Sequence, residues 1–347
     1  MKNDKKTPLI GIMTARKSNG TITGNGPLFI ELQKKLISLN GMSFIFTIEG
    51  VEQDTIKGYS FSPNENRWIQ KTFPYPDLVY NRIPFRKSEQ DEQCKHFFFH
   101  LKEKKIPFFN PCFINKYELY QLFRNDNILK NYIPETILVT EPENLFGFLM
   151  KFRSIYLKPA QSSKGKGIFR LRLAGRSELK LEGIKGQEYY QSFEQFWMEW
   201  NSDLISKSYL AQEEIDSAEY DGSRFDFRIL AHSHHEEYLL TGVGIRLSEQ
   251  QDVTTHIPAG GKLLPYELFQ SKEQDELFQT IISNAGKVLS SHYGFFGEFT
   301  IDAGLSKNGR YYIYEVNSKP MSFDEAAIDE KKIEHLCRLF LNLAQNA

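Results

Sequence analysis

Two stretches near the C-terminal end of the chain carry acidic residues at a spacing typical of paired strands. Residues 297–303 and 311–320 are rich in aromatic and β-branched residues, and Asn308-Gly309 lies between them. Asn-Gly is the preferred pair for a two-residue type I′ turn, so we predict that turn here. The resulting register has these facing pairs: Lys307 with Arg310, Asp302 with Glu315, Thr300 with Asn317, and Glu298 with Lys319.

This register would hold two carboxylates side by side. Directly opposed Cβ atoms on paired strands lie about 4.5–5.5 Å apart, so Asp302 and Glu315 would repel each other unless a cation lay between them. Asp, Glu and Asn supply the hard oxygen ligands that suit Mg²⁺, which proteins usually share with substrate phosphates. We therefore predict a metal site at Asp302, Glu315 and Asn317, with a solvated hairpin face as the alternative.

A second candidate site is the loop between two predicted strands at residues 158–168. It combines small residues, glycines and lysines, namely Lys158, Ser162, Ser163, Lys164, Gly165, Lys166 and Gly167. Exposed backbone N–H groups together with lysine charge can cradle phosphates. The loop matches neither a P-loop nor a dinucleotide fingerprint, because the required glycine spacing is missing. It predicts either a flap over a nucleotide or a mobile, lysine-rich turn.

Hydrophobic patterns indicate the elements that hold these segments. An early alternation of strands with a helix at residues 28–39 favours a small α/β domain up to about residue 114. Three further helices begin with capping-box-like patterns at Asn115, Ser271 and Ser322. The predicted strands are residues 9–13, 44–48, 77–82, 154–158, 168–173, 209–215, 225–232, 238–247, 297–303 and 310–316.

Length and composition limit the classes of protein. The chain has 347 residues, 40% hydrophobic and 25% charged, which is typical of a globular protein with more than one domain. Its net charge of −1 provides no basic field for nucleic acid. No apolar stretch approaches the roughly 18 residues of a membrane span. The three cysteines lie far apart, so we expect reduced thiols and a cytoplasmic location.

In their order along the chain, these motifs resemble the YheC/YheD-type ATP-grasp family, which is associated with the endospore coat. The resemblance runs from Ile10-Gly-Ile-Met through Asp77-Leu-Val-Tyr-Asn-Arg to Asn317-Ser-Lys-Pro. It implies an α/β and α+β architecture, namely an ATP-grasp fold that follows a pre-ATP-grasp α/β domain. The implied domains are the N-terminal domain at 1–114, an N-lobe with the nucleotide flap at 115–207, and a C-lobe with the hinge and metal site at 208–347.

The resemblance also implies which residues bind ATP. Lys116 and Lys158 match the two lysines that contact the nucleotide, with Lys158 on its α- and β-phosphates. The other matches are Ser162, Ser163, Gly165 and Gly167 for the phosphate flap, and Gln212, Glu213 and Ile215 for the hinge that lines adenine. Three acids remain as alternatives for binding the ribose: Asp216, Glu219 and Asp221.

Further matches concern the transferred phosphate. Asp226 and Arg228 match an Asp-x-Arg strand in which the arginine touches phosphate, and Arg246 matches the arginine that stabilises the transferred group. The implied catalytic residues are Arg246, Arg228 and Lys158, and the implied metal ligands are Asp302, Glu315 and Asn317. One position departs from the family pattern, because His256 stands where the family usually has asparagine.

The activity implied by the resemblance is an ATP- and Mg²⁺-dependent carboxylate–amine ligase that forms an acyl-phosphate. A small-molecule kinase would use the same nucleotide residues and differ only in the acceptor. A non-catalytic, nucleotide-binding component of the spore coat is the third interpretation, which His256 favours. The implied partners are ATP, an unidentified carboxylate or amine substrate, and spore-coat proteins, with no nucleic acid or membrane. Folds of this kind are often homodimers.

Two polar residues end the predicted strand at 77–82. We expect Asn81 and Arg82 to face the cleft between the implied domains. Their side chains suit either contact with a substrate or structural hydrogen bonding, and the sequence leaves both alternatives open.

Overall fold

The strands of this protein form three sheets in the computed structural model, which describes residues 7–161, 166–184, 186–248 and 261–345. Among these residues, no helix combines the length and the apolar character that crossing a membrane requires. Each sheet packs its apolar side chains against helices, so the core is divided into clusters that follow the sheets.

The first sheet has parallel strands at its centre. Its strands are β1 (Leu9–Met13), β2 (Met42–Val51), β3 (Thr55–Ser62), β4 (Arg67–Pro74), β5 (Leu78–Asn81) and β6 (Phe108–Phe109), in the spatial order β4-β3-β2-β1-β5-β6. Its helices are α1 (Gly26–Ser38), α2 (Arg86–Glu89) and α3 (Glu92–Glu103). Every residue of β1 is buried, as expected for a central strand that is covered on both faces. The predicted strands at 9–13, 44–48 and 77–82 are confirmed.

The second sheet is antiparallel. The helix α4 (Lys116–Asn125) leads into it, and its strands are β7 (Thr136–Leu138), β8 (Ser154–Pro159), β9 (Phe169–Leu173), β10 (Leu179–Gly183), β11 (Gly186–Tyr190) and β12 (Tyr209–Glu213). Two helices, α5 (Pro142–Phe152) and α6 (Phe193–Ser206), pack on it through a cluster that includes Leu149, Leu157 and Phe196. The spatial order is β11-β10-β9-β8-β12-β7, so the strand that carries Lys158 lies next to the strand that carries Gln212.

The third sheet is also antiparallel and contains the longest strands. They are β13 (Glu219–Tyr220), β14 (Ser223–His234), β15 (Glu237–Ser248), β16 (Gly261–Leu264), β17 (Glu298–Leu305) and β18 (Tyr311–Asn317). The main order is β16-β15-β14-β17-β18, with β13 paired to β14. The helices in this part of the chain are α7 (Lys272–Tyr293), which covers the sheet, and α8 (Ala326–Gln345).

Two elements link the predicted domains. The strand β12 pairs with β7 and β8 in the second sheet, although it follows residue 207. The C-terminal helix α8 places Leu336 and Phe340 in the core of the first sheet, together with Ile10 and Leu32. The domain boundaries at 114/115 and 207/208 stay predictions.

Side-chain caps explain where two of the helices begin. Asn115 Oδ1 accepts hydrogen bonds from the backbone of Tyr117 and Glu118, and Ser271 Oγ accepts one from Gln274. Both predicted starts are therefore confirmed.

The predicted start of the last helix near Ser322 is wrong, because α8 begins at Ala326. Ser322 Oγ instead accepts a hydrogen bond from Asn25 at 2.8 Å. The first helical bonds run from Ile328 and Asp329 to the carbonyl of Glu325, whose side chain is held elsewhere by Arg246. Tertiary contacts thus override the capping pattern.

The hairpin turn also differs from the prediction. Gly309 adopts φ +83° and donates to Ser306 O, and Ser306 N donates to Arg310 O, so the loop has three residues and is not a type I′ turn. A bulge at Tyr314 then restores the predicted register.

The pairs Asp302–Glu315 and Thr300–Asn317 are therefore confirmed, although the turn between their strands is not the predicted one. The predicted Glu298–Lys319 pair is wrong, because β18 ends at Asn317 and Lys319 bonds to Glu89.

A close contact between α7 and β15 provides a test of the packing. A Cβ added to Gly286 would clash with the Tyr238 ring, which is held in place because its hydroxyl donates to Phe296 O and accepts a hydrogen bond from Ser290 Oγ. We expect Gly286→Ala to lower the free energy of unfolding by about 1–3 kcal/mol. Denaturant unfolding checks this value.

Gly147, in the middle of α5, is the matched control, because nothing lies within 4 Å of the position that a Cβ would take there. Gly147→Ala should raise the free energy of unfolding by about 0.5–1 kcal/mol. An equal effect of the two substitutions would contradict the packing described for α7.

Candidate functional site

The two carboxylates predicted from the hairpin lie at the edge of the third sheet. Asp302 on β17 pairs directly with Glu315 on β18, and Thr300 pairs with Asn317 two residues further along. Asn317 Nδ2 donates to Asp302 Oδ2 at 3.1 Å. All three predicted metal-ligating residues are thus brought together by one strand pair.

A lysine from another part of the chain neutralises this acidic edge. Lys116, the first residue of α4, places its Nζ 3.0 Å from Glu315 Oε1, and both side chains are largely shielded from solvent. The cap at Asn115 fixes the start of that helix and therefore the position from which Lys116 reaches across. This ion pair connects the start of α4, the helix that leads into the second sheet, to β18 of the third sheet.

The second predicted lysine lies on the neighbouring sheet. Lys158 on β8 donates from Nζ to Gln212 Oε1 at 2.6 Å, and Gln212 Nε2 donates to Thr136 Oγ1 at 3.0 Å. The Lys158 ammonium is also 5.4 Å from the ring centre of Tyr156 and 5.9 Å from that of Tyr314. Two aromatic faces and one amide therefore surround a single cation.

These residues line one pocket between the second and third sheets. Its polar side chains include Lys116, Lys158, Gln212 and Glu315. The apolar lining comes from α4, the turn after it and the two sheets, and includes Ile114, Leu119, Phe123, Ile133, Leu210, Ile313 and Val316. A mostly apolar pocket with a few converging charges is the usual form of a small-molecule site.

Burial shifts the pKa values of two groups at the site in opposite directions. It raises the pKa of Asp302 to about 6, with the carboxylates of Glu315 and Asp226 adding to the effect and the guanidinium groups of Arg228 and Arg246 opposing it. Burial lowers the pKa of Lys158 to about 8, against the nearby charge of Glu315. Such paired shifts in a cleft are typical of functional sites.

The predicted arginines lie on the same face of the third sheet. Arg228 on β14 pairs with Asp302 on one side, and Asp226 pairs with Arg246 of β15 on the other. The Phe323 ring lies 5.6 Å from the Arg228 guanidinium and 5.9 Å from that of Arg246. Both cations are therefore held beside the metal-ligand candidates.

The Arg246 guanidinium is already occupied by acidic side chains. Its two terminal nitrogens lie 2.7 and 3.3 Å from the carboxylate oxygens of Glu325, and Asp324 lies 3.7 Å away. A forked pair of this kind is among the stronger ion pairs. No sequence pattern predicts this contact, because the capping-box spacing from Ser322 places Glu325 at a helix start instead.

The hinge residues are only partly directed toward the pocket. Gln212 lines it, whereas Glu213 bonds through both its backbone N–H and its carboxylate to the backbone of Glu135. Ile215 follows the end of β12 and is not among the pocket residues. Of the three acids considered for ribose, Asp216 and Glu219 form ion pairs with Lys307, and Asp221 lies in a turn with φ +51°.

Part of the predicted flap can be placed. Gly167 has φ +73° and packs against Tyr209 and Pro159, which fits a glycine at a tight turn before β9. Ser162, Ser163 and Gly165 lie outside the described residues, as does His256.

Several residues around Lys158 are not predicted from the sequence. Tyr156 and Tyr314 flank Lys158, and Arg224 donates to the Tyr156 hydroxyl at 3.4 Å. Tyr314 enters the pocket at a bulge, which leaves no sequence signal of its own. The apolar residues of α4 were visible as a helical stripe, but the pattern alone does not show what the stripe faces.

The donor set fits a hard divalent cation. Asp302 and Glu315 offer carboxylate oxygens on adjacent strands, and burial raises the pKa of Asp302, so a bound cation would favour its ionised form. Within the described ranges, no three His, Cys, Asp or Glu side chains form a metal cluster. A cation here would therefore need the Asn317 amide oxygen and ligand oxygens to complete its coordination.

One lysine from an antiparallel sheet and one from the helix that leads into it meet acids from a second antiparallel sheet at a pocket between the two sheets, as in an ATP-grasp fold. The chain belongs to the YheC/D-like ATP-grasp family, whose model matches residues 105–346. The predicted fold class and family are thus confirmed.

Two curated relatives come from Bacillus subtilis (strain 168). The endospore coat-associated protein YheD is 28% identical over 337 residues, which cover 90% of this chain and 72% of YheD. The endospore coat-associated protein YheC is 24% identical over 294 residues, which cover 81% of each chain.

Solved structures of ATP-grasp ligases share the fold. D-alanyl-alanine synthetase A from Vibrio cholerae O1 biovar eltor superposes with a TM-score of 0.60 at 13% identity, covering 98% of this chain and 99% of the other. The ATP-grasp ligase PsnB in complex with a minimal precursor gives a TM-score of 0.55 at 13% identity, covering 97% and 99%. At this level of identity the likeness concerns the fold.

The lowered pKa of Lys158 predicts that its charged form reduces the free energy of unfolding. The pKa of this lysine falls from 10.5 to about 8 on folding, so the unfolded chain binds its proton more tightly and the charged form destabilises the fold. We expect Lys158→Met to raise the free energy of unfolding at pH 7 by about 1 kcal/mol. The gain should shrink as the pH rises from 8 towards 10.5.

Denaturant unfolding at several pH values measures this effect. The exposed Lys34 in α1 is the control, and Lys34→Met should change stability by less than about 0.5 kcal/mol at every pH. A gain for Lys158→Met that grew with pH would contradict the assigned burial of the charge.

Proposed function

We propose that the chain is an ATP- and Mg²⁺-dependent carboxylate–amine ligase that releases ADP and phosphate. The observation that carries this proposal is the ion pair between Lys116 and Glu315 in the pocket, since it joins a lysine suited to phosphate with an acid suited to metal. The fold of the solved ligases supports the same class of reaction.

In this proposal the pocket holds the nucleotide. Apolar side chains such as Leu119, Phe123 and Leu210 would pack against the base, and Gln212 with the hinge residues Glu213 and Ile215 would lie along its edge. Lys116 and Lys158 would each contact the phosphates through an ammonium group, which acts as a point charge and lacks the planar, two-pronged geometry of an arginine side chain. As the flap that the family resemblance implies, Ser162, Ser163, Gly165 and Gly167 would bind the phosphates.

Asp302, Glu315 and Asn317 would hold Mg²⁺ in the proposed site. Bound there, the ion would neutralise charge on the terminal phosphates of ATP. Lys116 would then exchange its Glu315 partner for a phosphate oxygen. The ion pair seen here thus keeps both groups neutralised until the nucleotide arrives.

The reaction would proceed by two displacements. An oxygen of the substrate carboxylate attacks the γ-phosphorus, the bond to the bridging oxygen breaks, and ADP leaves. The nitrogen of an amine then attacks the acyl carbon and phosphate leaves, while the amine loses its proton. Arg228 and Arg246 would oppose the negative charge in both steps, with Asp226 orienting Arg228 or the substrate.

A second candidate is a non-catalytic, nucleotide-binding component of the spore coat. Arg246 is held by Glu325 and Asp324, so the arginine proposed for catalysis is already neutralised within the chain. The relatives YheD and YheC are named for association with the endospore coat. Spore-coat proteins would be partners in either case, with the chain acting in the cytoplasm or at the coat.

Trapping of the acyl-phosphate tests the ligase without knowledge of the amine. Hydroxylamine converts an acyl-phosphate to a stable hydroxamate, so a panel of amino acids and short peptides is incubated with ATP, Mg²⁺ and hydroxylamine. We expect a hydroxamate and an equal amount of phosphate for at least one member. Asp302→Asn should lower this rate on the order of 10²–10³-fold, because one preorganised charge is lost.

The exposed Asp54, in the turn between β2 and β3, provides the matched control. Asp54→Asn should keep the wild-type rate. A phosphorylated organic product without free phosphate would indicate a kinase. ATP binding with no turnover across the panel would contradict the ligase and favour the coat component.

A further inference from the structure

An asparagine outside the proposed catalytic set lies at the ends of the two strands that carry the metal-ligand candidates. Asn110 follows β6 of the first sheet, adopts φ +56° and has no solvent-exposed surface. Its backbone N–H donates to Phe295 O at 2.9 Å, so the segment after β6 contacts the residues that precede β17. The residue belongs to the N-terminal part of the chain, but its side chain is buried against the ends of β17 and β18 in the third sheet.

The Asn110 side chain uses its complete hydrogen-bonding capacity. Its Nδ2 donates to Glu298 O at 3.0 Å and to Ser318 O, and its Oδ1 accepts from the backbone of Gly297 at 2.9 Å and of Glu298 at 3.3 Å. An asparagine side chain can make four such bonds, and all four go to backbone groups of the third sheet.

These backbone groups lie at the start of β17 and directly after the end of β18, the two strands that carry the acids. Glu298 is the first residue of β17, which bears Asp302 on the same face. Ser318 directly follows Asn317, the last residue of β18. The Asn110 side-chain amide therefore joins the start of β17 to the end of β18, the two strands that carry the metal-ligand candidates.

A cluster of buried charges supports the same segment. Arg82 donates from Nη1 to Glu298 Oε1 at 3.0 Å and from Nη2 to Pro320 O at 2.8 Å. Lys319 donates to Asn81 Oδ1 and Ile83 O, each at 3.1 Å, and pairs with Glu89. Of the two alternatives left by the sequence, Asn81 and Arg82 make structural hydrogen bonds to the chain that follows Asn317.

Charges buried this deeply must keep all their partners, because an unpaired buried ion is costly. Arg82, Glu298 and Lys319 each have at most a tenth of their side chain exposed. The first sheet and the Asn317–Pro320 segment are therefore locked in one arrangement. Movement of either would expose or separate several ions at once.

We propose that Asn110 is a positioning residue that sets the spacing of Asp302, Glu315 and Asn317, so that metal-dependent nucleotide binding depends on the N-terminal sheet. This inference rests on the proposed function, because it assumes that these three residues hold Mg²⁺. The Asn110 side chain hydrogen-bonds to none of these three residues. It acts through the two strand ends to which it is bonded.

Asn110→Asp tests the proposal with nearly no change in volume. The carboxylate cannot donate to the Glu298 and Ser318 carbonyls, so the clamp between the two strands opens. We expect the tightening of ATP binding by Mg²⁺ to fall about 10–100-fold, which is typical for loss of an outer-shell partner. Binding of ATP without Mg²⁺ should stay within about twofold of wild type, because the Lys116 and Lys158 pocket is not altered.

The sign of this effect separates positioning from simple electrostatics. A new negative charge near the site would by itself attract Mg²⁺ and strengthen the metal-dependent part of binding. A weakened metal response therefore reports geometry. Hydrogen exchange should also be faster for the amides of β17 and β18 in the variant, since their strand ends are no longer joined.

Gln33 provides a matched control in the same part of the chain. It is buried, and its amide donates to Phe61 O at 2.7 Å and accepts from Phe61 N at 3.0 Å, far along the sequence from the acids. Gln33→Glu makes the same chemical change and should leave the Mg²⁺ response unaltered. If Asn110→Asp does not fold, Arg82→Lys serves instead, since lysine keeps the charge but cannot reach both Glu298 and Pro320.

Three results would overturn the inference. An unchanged Mg²⁺ response in Asn110→Asp, or an equal loss in Gln33→Glu, would contradict it while the proposed function stands. A wild-type chain that binds ATP without any response to Mg²⁺ would contradict the proposed function and this inference together.

Discussion

The repulsion between two neighbouring carboxylates is the constraint on which the site depends. Asp302 and Glu315 are paired across adjacent strands, and burial raises the pKa of Asp302, with the Glu315 carboxylate adding to the shift. Lys116 offsets part of this repulsion from one side and the arginines of the third sheet from the other. A fold that keeps such a pair together has to bring cations to it from elsewhere in the chain.

Each sheet contributes one part of that compensation. The second sheet and the helix that leads into it provide the lysines, and the third provides the acids together with Arg228 and Arg246. The first sheet holds the two acid-bearing strands through Asn110 and Arg82. The helix α8 packs against strands of both the first and the third sheet and therefore joins these two sheets.

Much of this is visible in the sequence, and the exceptions have physical reasons. Strand periodicity locates the acid pair, and the predicted register is correct because two deviations cancel: a longer turn and the bulge at Tyr314. The predicted start of α8 is wrong because the side chain of Glu325 binds Arg246, a contact between residues far apart in the chain. The role of Asn110 is invisible in the sequence, because its four partners come together only through the tertiary fold.

Calorimetric titration of ATP, with and without Mg²⁺, into wild type and Glu315→Gln tests most directly whether the lysines and acids form one nucleotide site. In wild type, Mg²⁺ should tighten binding. Without Mg²⁺, Glu315→Gln should bind ATP at least as tightly as wild type, because Lys116 is released and a carboxylate no longer repels the phosphates. Mg²⁺ should then add nothing in the variant. An equal response to Mg²⁺ in both proteins, or no ATP binding in either, would contradict the account.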